Sequence, residues 1–218
     1  MTDLVLPGQR SLFKEELLLK PDLERLAALK AFAAGCKRCP LYCGRHSMVF
    51  GEGCLSNPVI AFVGEAPGAE EDAQGRPFVD AAGTLLDSMI KAIGLSRSDV
   101  YICNTVLCRP TESGRNRKPT RDEIAICREW FIGQLRCVQP RIVVALGVIA
   151  INALFETKKE EPLHKFRGEW LEWQKRPLRV TFHPAYLLRS PEDKLRAWED
   201  LQAVVKKLKE MGLASSNG

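Results

Sequence analysis

Cys36 and Cys39 have two residues between them, a spacing whose turn lets two thiolates point at one metal ion. Six further cysteines could complete a set of four: Cys43, Cys54, Cys103, Cys108, Cys127 and Cys137. Cys103 falls inside an apolar run and Cys137 at a helix end, so both read as packing residues. Cys108 and Cys127 are placed to approach the first pair. Spacing alone does not separate zinc from iron–sulfur, because both accept four thiolates.

Other residue types suggest a second site. The run Val59–Val63 ends in Gly64 and drops into "EAPGAEED", with Glu65, Glu70, Glu71 and Asp72 within eight positions. Carboxylates there can face a positive charge, although Glu70 and Asp72 need only favour a helix N-terminus. Asn104 closes another apolar run, and its amide offers both an acceptor and a donor. His183 follows the last such run and precedes Pro184, which holds its backbone extended. A neutral imidazole there could donate to a group gaining negative charge. His46 and His164 sit in polar contexts and read as surface residues. The segment "RPTESGRNRKPTR" sets Arg109, Arg115, Arg117, Lys118 and Arg121 against the single acid Glu112, a composition suited to phosphate.

What must position these groups is an alternation of strands and helices. Four continuous runs, Val59–Val63, Val100–Val106, Ile142–Leu146 and Leu178–Phe182, read as parallel strands covered on both faces. Helical periodicity fills the gaps, in "AGTLLDSMIKAIG", in "TRDEIAICREWFIGQL" with a capping-box spacing from Thr120 to Glu123, and in "VIAINALF" after Gly147. "PDLERLAALKAFAAG" reads as a helix from Pro21 to Gly35, with Leu23, Leu26, Ala27, Leu29 and Phe32 at helical spacing. The last helix opens at Ser190-Pro191, with Leu195, Trp198, Leu201, Val205 and Leu208 along one face. The fold class is therefore α/β: a three-layer α/β/α sandwich around a mainly parallel four-stranded sheet. One domain is expected over 1–218, with an N-terminal helical segment at 1–35, a core at 36–210 and a frayed tail at 211–218. "GEAPGAEED", "NTVLCRP", "ALGVIA" and "HPAYLLR" then share the carboxyl edge of the sheet, where such folds bind ligands.

The totals set limits. Hydrophobic residues make up 45% and charged ones 27% of 218, which gives a packed core. Net charge +5 permits a polyanionic partner without requiring one. No apolar stretch is long enough to span a bilayer, and the first twenty residues lack the pattern of a signal peptide, so a cytoplasmic location is expected. In a reducing compartment eight cysteines are not a disulfide framework. The absence of GxxxxGK[ST] and GxGxxG stretches counts against a nucleotide-binding enzyme.

In combination, "GEAPGAEED", "GRPFVDAAGTLL", "NTVLCRP" and "HPAYLLR" resemble the family 4 uracil-DNA glycosylases, from about Cys36 to the last helix. The resemblance implies a [4Fe–4S] cluster on Cys36, Cys39, Cys108 and Cys127, with Cys43 a bystander, zinc being the alternative metal. It also implies that uracil is flipped from DNA and its bond to deoxyribose hydrolysed, leaving an abasic site for downstream repair enzymes, by a protein acting as a monomer. Asn104 would read uracil N3–H and O4, Phe78 would stack on the base, and Glu65, Ala66 and Pro67 would line the pocket. Glu71 would stand near the C5 edge and help exclude a thymine methyl, and His183 would donate to O2. Glu65 and His183 are the catalytic candidates, Glu65 as a carboxylate facing a cationic sugar. Leu187 would wedge into the gap left by the base, with Arg189, Arg115, Arg117 and Lys118 on phosphates. Two features stand apart: Ala66 occupies the turn position where other uracil glycosylases place a water-positioning Asp, and Asp80 stands where the family usually has Gly. The rival readings are a uracil-DNA binder that traps its product, against which the loop "GRNRKP" lacks a histidine, and a non-enzymatic zinc-stabilised nucleic-acid-binding module.

Overall fold

The computed structural model describes residues 22–213. The expectations placed on the first twenty residues, on Pro21 and on the tail beyond Leu213 lie outside them. In chain order the elements are α1 (Asp22–Ala34), α2 (Leu41–Gly44), β1 (Glu52–Gly53), β2 (Ile60–Gly64), α3 (Ala69–Gln74) and α4 (Ala81–Ala92). Then follow β3 (Val100–Asn104), β4 (Thr111–Glu112), β5 (Arg115–Asn116), α5 (Arg121–Val138), β6 (Ile142–Leu146) and α6 (Val148–Phe155). The chain continues through β7 (Leu171–Trp173), β8 (Arg176–Thr181), α7 (Pro184–Arg189) and α8 (Lys194–Glu210). No helix among the described residues is long and apolar enough to cross a membrane.

All four expected strands are present and run parallel in the order β3-β2-β6-β8. Two short strands extend the sheet to six: β1 pairs antiparallel with β3, and β7 with β8. At two and three residues they are too short to show a period-2 pattern, and short antiparallel edges leave little ladder exposed.

Alternation along the central strands divides the core. Ala61, Val63, Tyr101, Cys103, Val143, Ala145, Leu178 and Val180 face the layer that includes α1, α5 and α6. Ile60, Phe62, Val100, Ile102, Val144 and Leu146 face α4, α7 and α8. Every residue of β2, β3 and β6 is buried, which is why these strands are continuous apolar runs. The layers make the α/β/α sandwich.

The helices begin where capping chemistry directs. Thr120 Oγ1 accepts from the Glu123 amide and Glu123 reaches back to the Thr120 amide, so both bonds of the capping box form. Two helical faces differ from the sequence reading. In α1 the buried residues are Leu26, Leu29 and Ala33, while Leu23 and Phe32 are exposed. In α8 they are Ala197, Asp200, Leu201, Val204 and Leu208, leaving Leu195 68% exposed. Asp200 explains the rotation: it lies inside the layer and binds Arg167 and Arg179, at 2.6 and 3.0 Å.

Candidate active site and cysteine lobe

The chain leaves β2 for β3 on one side and later returns to place β6 on the other. The carboxyl end of β2 is thus the point where strand order reverses, the usual crevice in an open α/β sheet. Gly64 ends β2 and pairs in register with Asn104, the last residue of β3. A Cβ on Gly64 would lie 2.4 Å from Asn104 Oδ1 and 2.5 Å from Phe78 Cζ, so only glycine lets the two side chains converge here. The Phe78 ring stacks on His183 with centroids 5.5 Å apart and planes at 28°. Gly147, with φ +89°, lets the β6 turn pass His183, whose Cβ would be 3.1 Å from an added one. Asn104, Phe78 and His183 therefore meet in one place.

Two polar atoms in this cluster are buried without a partner: Asn104 Oδ1 and His183 Nε2. A buried, unpaired polar atom costs about 1–3 kcal/mol, so both atoms gain from a group that meets them. The imidazole polarity follows from its other nitrogen. The Ala185 amide donates to Nδ1 at 3.2 Å, which leaves the proton on Nε2 and makes Nε2 a donor. Burial pushes the His183 imidazole down to about 4, with Arg189 adding to the shift and Asp80 opposing it. The ring is neutral at physiological pH.

Phe78 itself sits at φ +53°, a left-handed backbone that a bulky residue adopts at a cost of about 1–3 kcal/mol. Its neighbours hold it there. Glu71, buried in the first turn of α3, accepts from the Gly68 amide at 3.0 Å, the Val79 amide at 2.8 Å and the Asp80 amide at 3.1 Å. Both carboxylate oxygens are thereby committed to backbone. Asp72 does more than favour a helix start, since it accepts from the His46 and Ser47 amides. Asp80 is the N-cap of α4, accepting from the Ala82 and Gly83 amides at 2.9 and 3.0 Å.

On the rim, Glu65 is partly exposed, Ala66 packs against the core, and Pro67 is buried. Burial raises the Glu65 carboxyl above its ordinary value; Lys118 and Arg189 oppose this and Glu160 adds to it. Arg115, Lys118 and Arg189 are exposed. Arg117 is not free as expected: it pairs with buried Glu123 at 2.6 Å and ties the β4–β5 hairpin to the start of α5. Leu187 is also corrected. It is 2% exposed and belongs to the core, because a helix starts at Pro184 and turns this residue inward. Tyr186 and Leu188 are the large hydrophobic residues of that helix left exposed.

All eight cysteines are free thiols. Cys36, Cys39, Cys108 and Cys127 line one cavity with Ala33, Met48, Leu107 and Trp130, while Cys43 is exposed outside its lining. Cys103 is fully buried, its thiol pushed up to about 12 by burial, and Cys137 is also buried, as packing residues should be. Around the cavity the Leu107 amide donates to Cys127 Sγ at 3.4 Å and Arg45 donates to Cys108 Sγ at 3.3 Å. Burial raises the thiols of Cys39, Cys108 and Cys127. Among the described residues no three His, Cys, Asp or Glu are arranged to hold a single metal ion.

Residues 50–202 match the model of the uracil DNA glycosylase superfamily, a span that contains every pocket residue and both Cys108 and Cys127. The chain is 41% identical over 180 residues to the type-4 uracil-DNA glycosylase of Thermotoga maritima, covering 81% of this chain and 91% of that protein. It is 40% identical over 176 residues to the type-4 uracil-DNA glycosylase of Pyrobaculum aerophilum, covering 78% and 86%. A type-5 uracil-DNA glycosylase of the same organism is 30% identical over 60% of this chain. This chain belongs to the type-4 branch of the uracil-DNA glycosylase superfamily. In the sequence of this type-4 glycosylase, Gly64 and Gly147 stand out only as the ends of apolar runs; the space each clears beside Asn104, Phe78 and His183 is visible only in the structure. Asp80 stands out there only as a departure from the family, and its N-cap role has a signal as a short acid just ahead of a helical pattern.

Proposed function

We propose that the protein flips uracil out of DNA and hydrolyses its N-glycosidic bond, leaving an abasic site. The observation that carries this reading is the orphan pair: an acceptor, Asn104 Oδ1, and a donor, His183 Nε2, beside one aromatic face. Uracil presents a donor at N3–H and an acceptor at O2, so it complements both. Asn104 also offers its amide donor to O4. Cytosine, with an acceptor at N3 and a donor at C4, opposes both contacts of Asn104. Phe78 stacks on the everted base.

When the C1′–N1 bond breaks, its electron pair stays on the base and the sugar becomes cationic. His183 stabilises the charge growing at O2, and Glu65 faces the cation from the rim. Water then adds at C1′ and loses a proton. Ala66 supplies no base, so the reaction relies on departure of the base rather than on a strongly activated water. Glu71 acts as a rigid wall at the C5 edge by its bulk, since its oxygens are committed. Glu65→Gln is expected to slow base release about tenfold in single-turnover assays, and an unchanged rate would remove its role.

Arg189, Arg115 and Lys118 are the phosphate contacts of this reading, and with Leu187 in the core Leu188 is the apolar group beside the vacated stack. The reading places the protein in the cytoplasm as a monomer, handing its abasic product to downstream repair enzymes. The direct test is incubation with a uracil-containing oligonucleotide followed by cleavage at abasic sites. Strand scission with free uracil supports it; a gel-stable adduct without free uracil would replace it with product trapping.

The cavity thiols fit an iron–sulfur cluster. The four line one cavity, and two of them accept N–H hydrogen bonds of the kind that support cluster thiolates. Cys36, Cys39, Cys108 and Cys127 would hold a [4Fe–4S] cluster, which would supply cross-linking of the lobe. Purified protein is expected to be brown and to contain iron and sulfide, and Cys127→Ala to lose both. Colourless protein with stoichiometric zinc would overturn the assignment.

A further inference from the structure

We propose that the Glu52–Arg97 pair is a positioning device for the stacking ring: Arg97 grips the Pro77 carbonyl and so fixes the left-handed turn at Phe78. This rests on the glycosylase reading of the pocket. Arg97 lies in the connection between α4 and β3, and its guanidinium makes three sets of contacts. It donates to Glu52 Oε1 from Nε at 2.9 Å, to Asp87 Oδ1 from NH1 at 2.8 Å, and to the Pro77 carbonyl from NH2 at 2.5 Å. Glu52, on the edge strand β1, also accepts from Arg76 at 2.9 and 3.1 Å. The segment "RPF" is thus held by a side chain at Arg76 and by its backbone at Pro77.

A solvent-facing ion pair usually contributes little to stability. This one differs because its third contact is a backbone carbonyl next to a residue whose conformation is unfavourable in isolation. Such a conformation persists only when both flanks are held. Downstream, Glu71 binds the Val79 and Asp80 amides, and α4 begins so close that a Cβ on Gly83 would lie 2.0 Å from the Phe78 carbonyl. Upstream, Arg97 and Glu52 are the anchor. Glu52 joins that anchor to β1, whose pairing with β3 leads to Asn104 on the same strand. The edge strand therefore links the ring that stacks on the base to the strand carrying the amide that reads it.

The test compares wild type, Arg97→Ala, Phe78→Ala and the double variant by single-turnover excision at saturating protein. Amide hydrogen exchange over residues 76–83 is measured on the same samples. Arg97→Ala is expected to slow excision about tenfold and to raise exchange in that segment. The double variant should be no slower than Phe78→Ala, because Arg97 acts through that ring. If Arg97→Ala is poorly folded, Arg97→Lys serves, since an ammonium cannot serve Glu52, Asp87 and the carbonyl with one planar fork. Multiplicative losses in the double variant, or an excision rate within twofold of wild type, would overturn the proposal. So would unchanged exchange over 76–83, whatever wild type does with uracil. A wild type that releases no uracil overturns the glycosylase reading instead, and exchange alone then decides the clamp.

Discussion

Asn104→Ala is expected to slow uracil release about 10³-fold in single-turnover assays while leaving binding to uracil-free DNA within about twofold. Asn104 is 2% exposed and ends a fully buried strand, so its amide has no freedom to rotate away from the crevice. Its Oδ1 has no hydrogen-bond partner among the described residues. In the variant, N3–H and O4 of the base lose their proposed partner, and the loss is that of two contacts plus the desolvation of both groups. Sites built around paired hydrogen bonds discriminate by about 10⁴–10⁵ when the pairing fails, and 10³, about 4 kcal/mol, allows for the contacts that remain. A decrease below tenfold would mean that base recognition lies elsewhere.

His183→Ala is expected to lower the excision rate about 10²-fold, the ordinary consequence of removing one preorganised donor from developing charge. Its pH dependence separates this role from general acid catalysis. With the imidazole at about 4, the wild-type rate should be flat from pH 8 down to about 5 as far as this group is concerned. A cationic acid would instead show activity falling as pH rises through 6.5. Stability carries the same signature. The folded value lies below the ordinary 6.5, so the unfolded chain takes up the proton first as pH falls. The stability this residue contributes is intact above pH 6.5 and is lost between there and about 4. His183→Gln should remove that segment of the acid-denaturation curve, and a curve unaltered between pH 6.5 and 4 would count against a buried neutral ring.

Much of this architecture can be read in the residues, and the places where reading stops have physical reasons. Ile60–Gly64, Val100–Asn104 and Ile142–Leu146 are buried on both faces, and burial of that kind leaves a continuous apolar run. The edge strands at Glu52 and Leu171 bury too little to leave any pattern. The approach of Asn104 and His183 to one edge follows from strand order, once each is placed at a carboxyl end; Phe78, between α3 and α4, is brought there by the connection that follows β2. What spacing could not reveal was how side chains are shared. Arg117 and Arg115 are alike in a basic loop, but only Arg117 meets Glu123, which the capping box has already drawn inward. Leu187 and Leu188 are neighbours of one type, and the first turn of α7 alone decides which is buried. The left-handed backbone at Phe78 had no local signal, because its causes, Glu71 and Arg97, lie outside its own turn.

Cys108 stands four positions beyond Asn104, and the Leu107 amide between them is held by the sulfur of Cys127. The strand that ends in Asn104 thus leads within four residues into the lobe where four thiols gather. A cluster on those thiols, as proposed above, would anchor the far end of that strand through Cys108 and the Leu107–Cys127 contact.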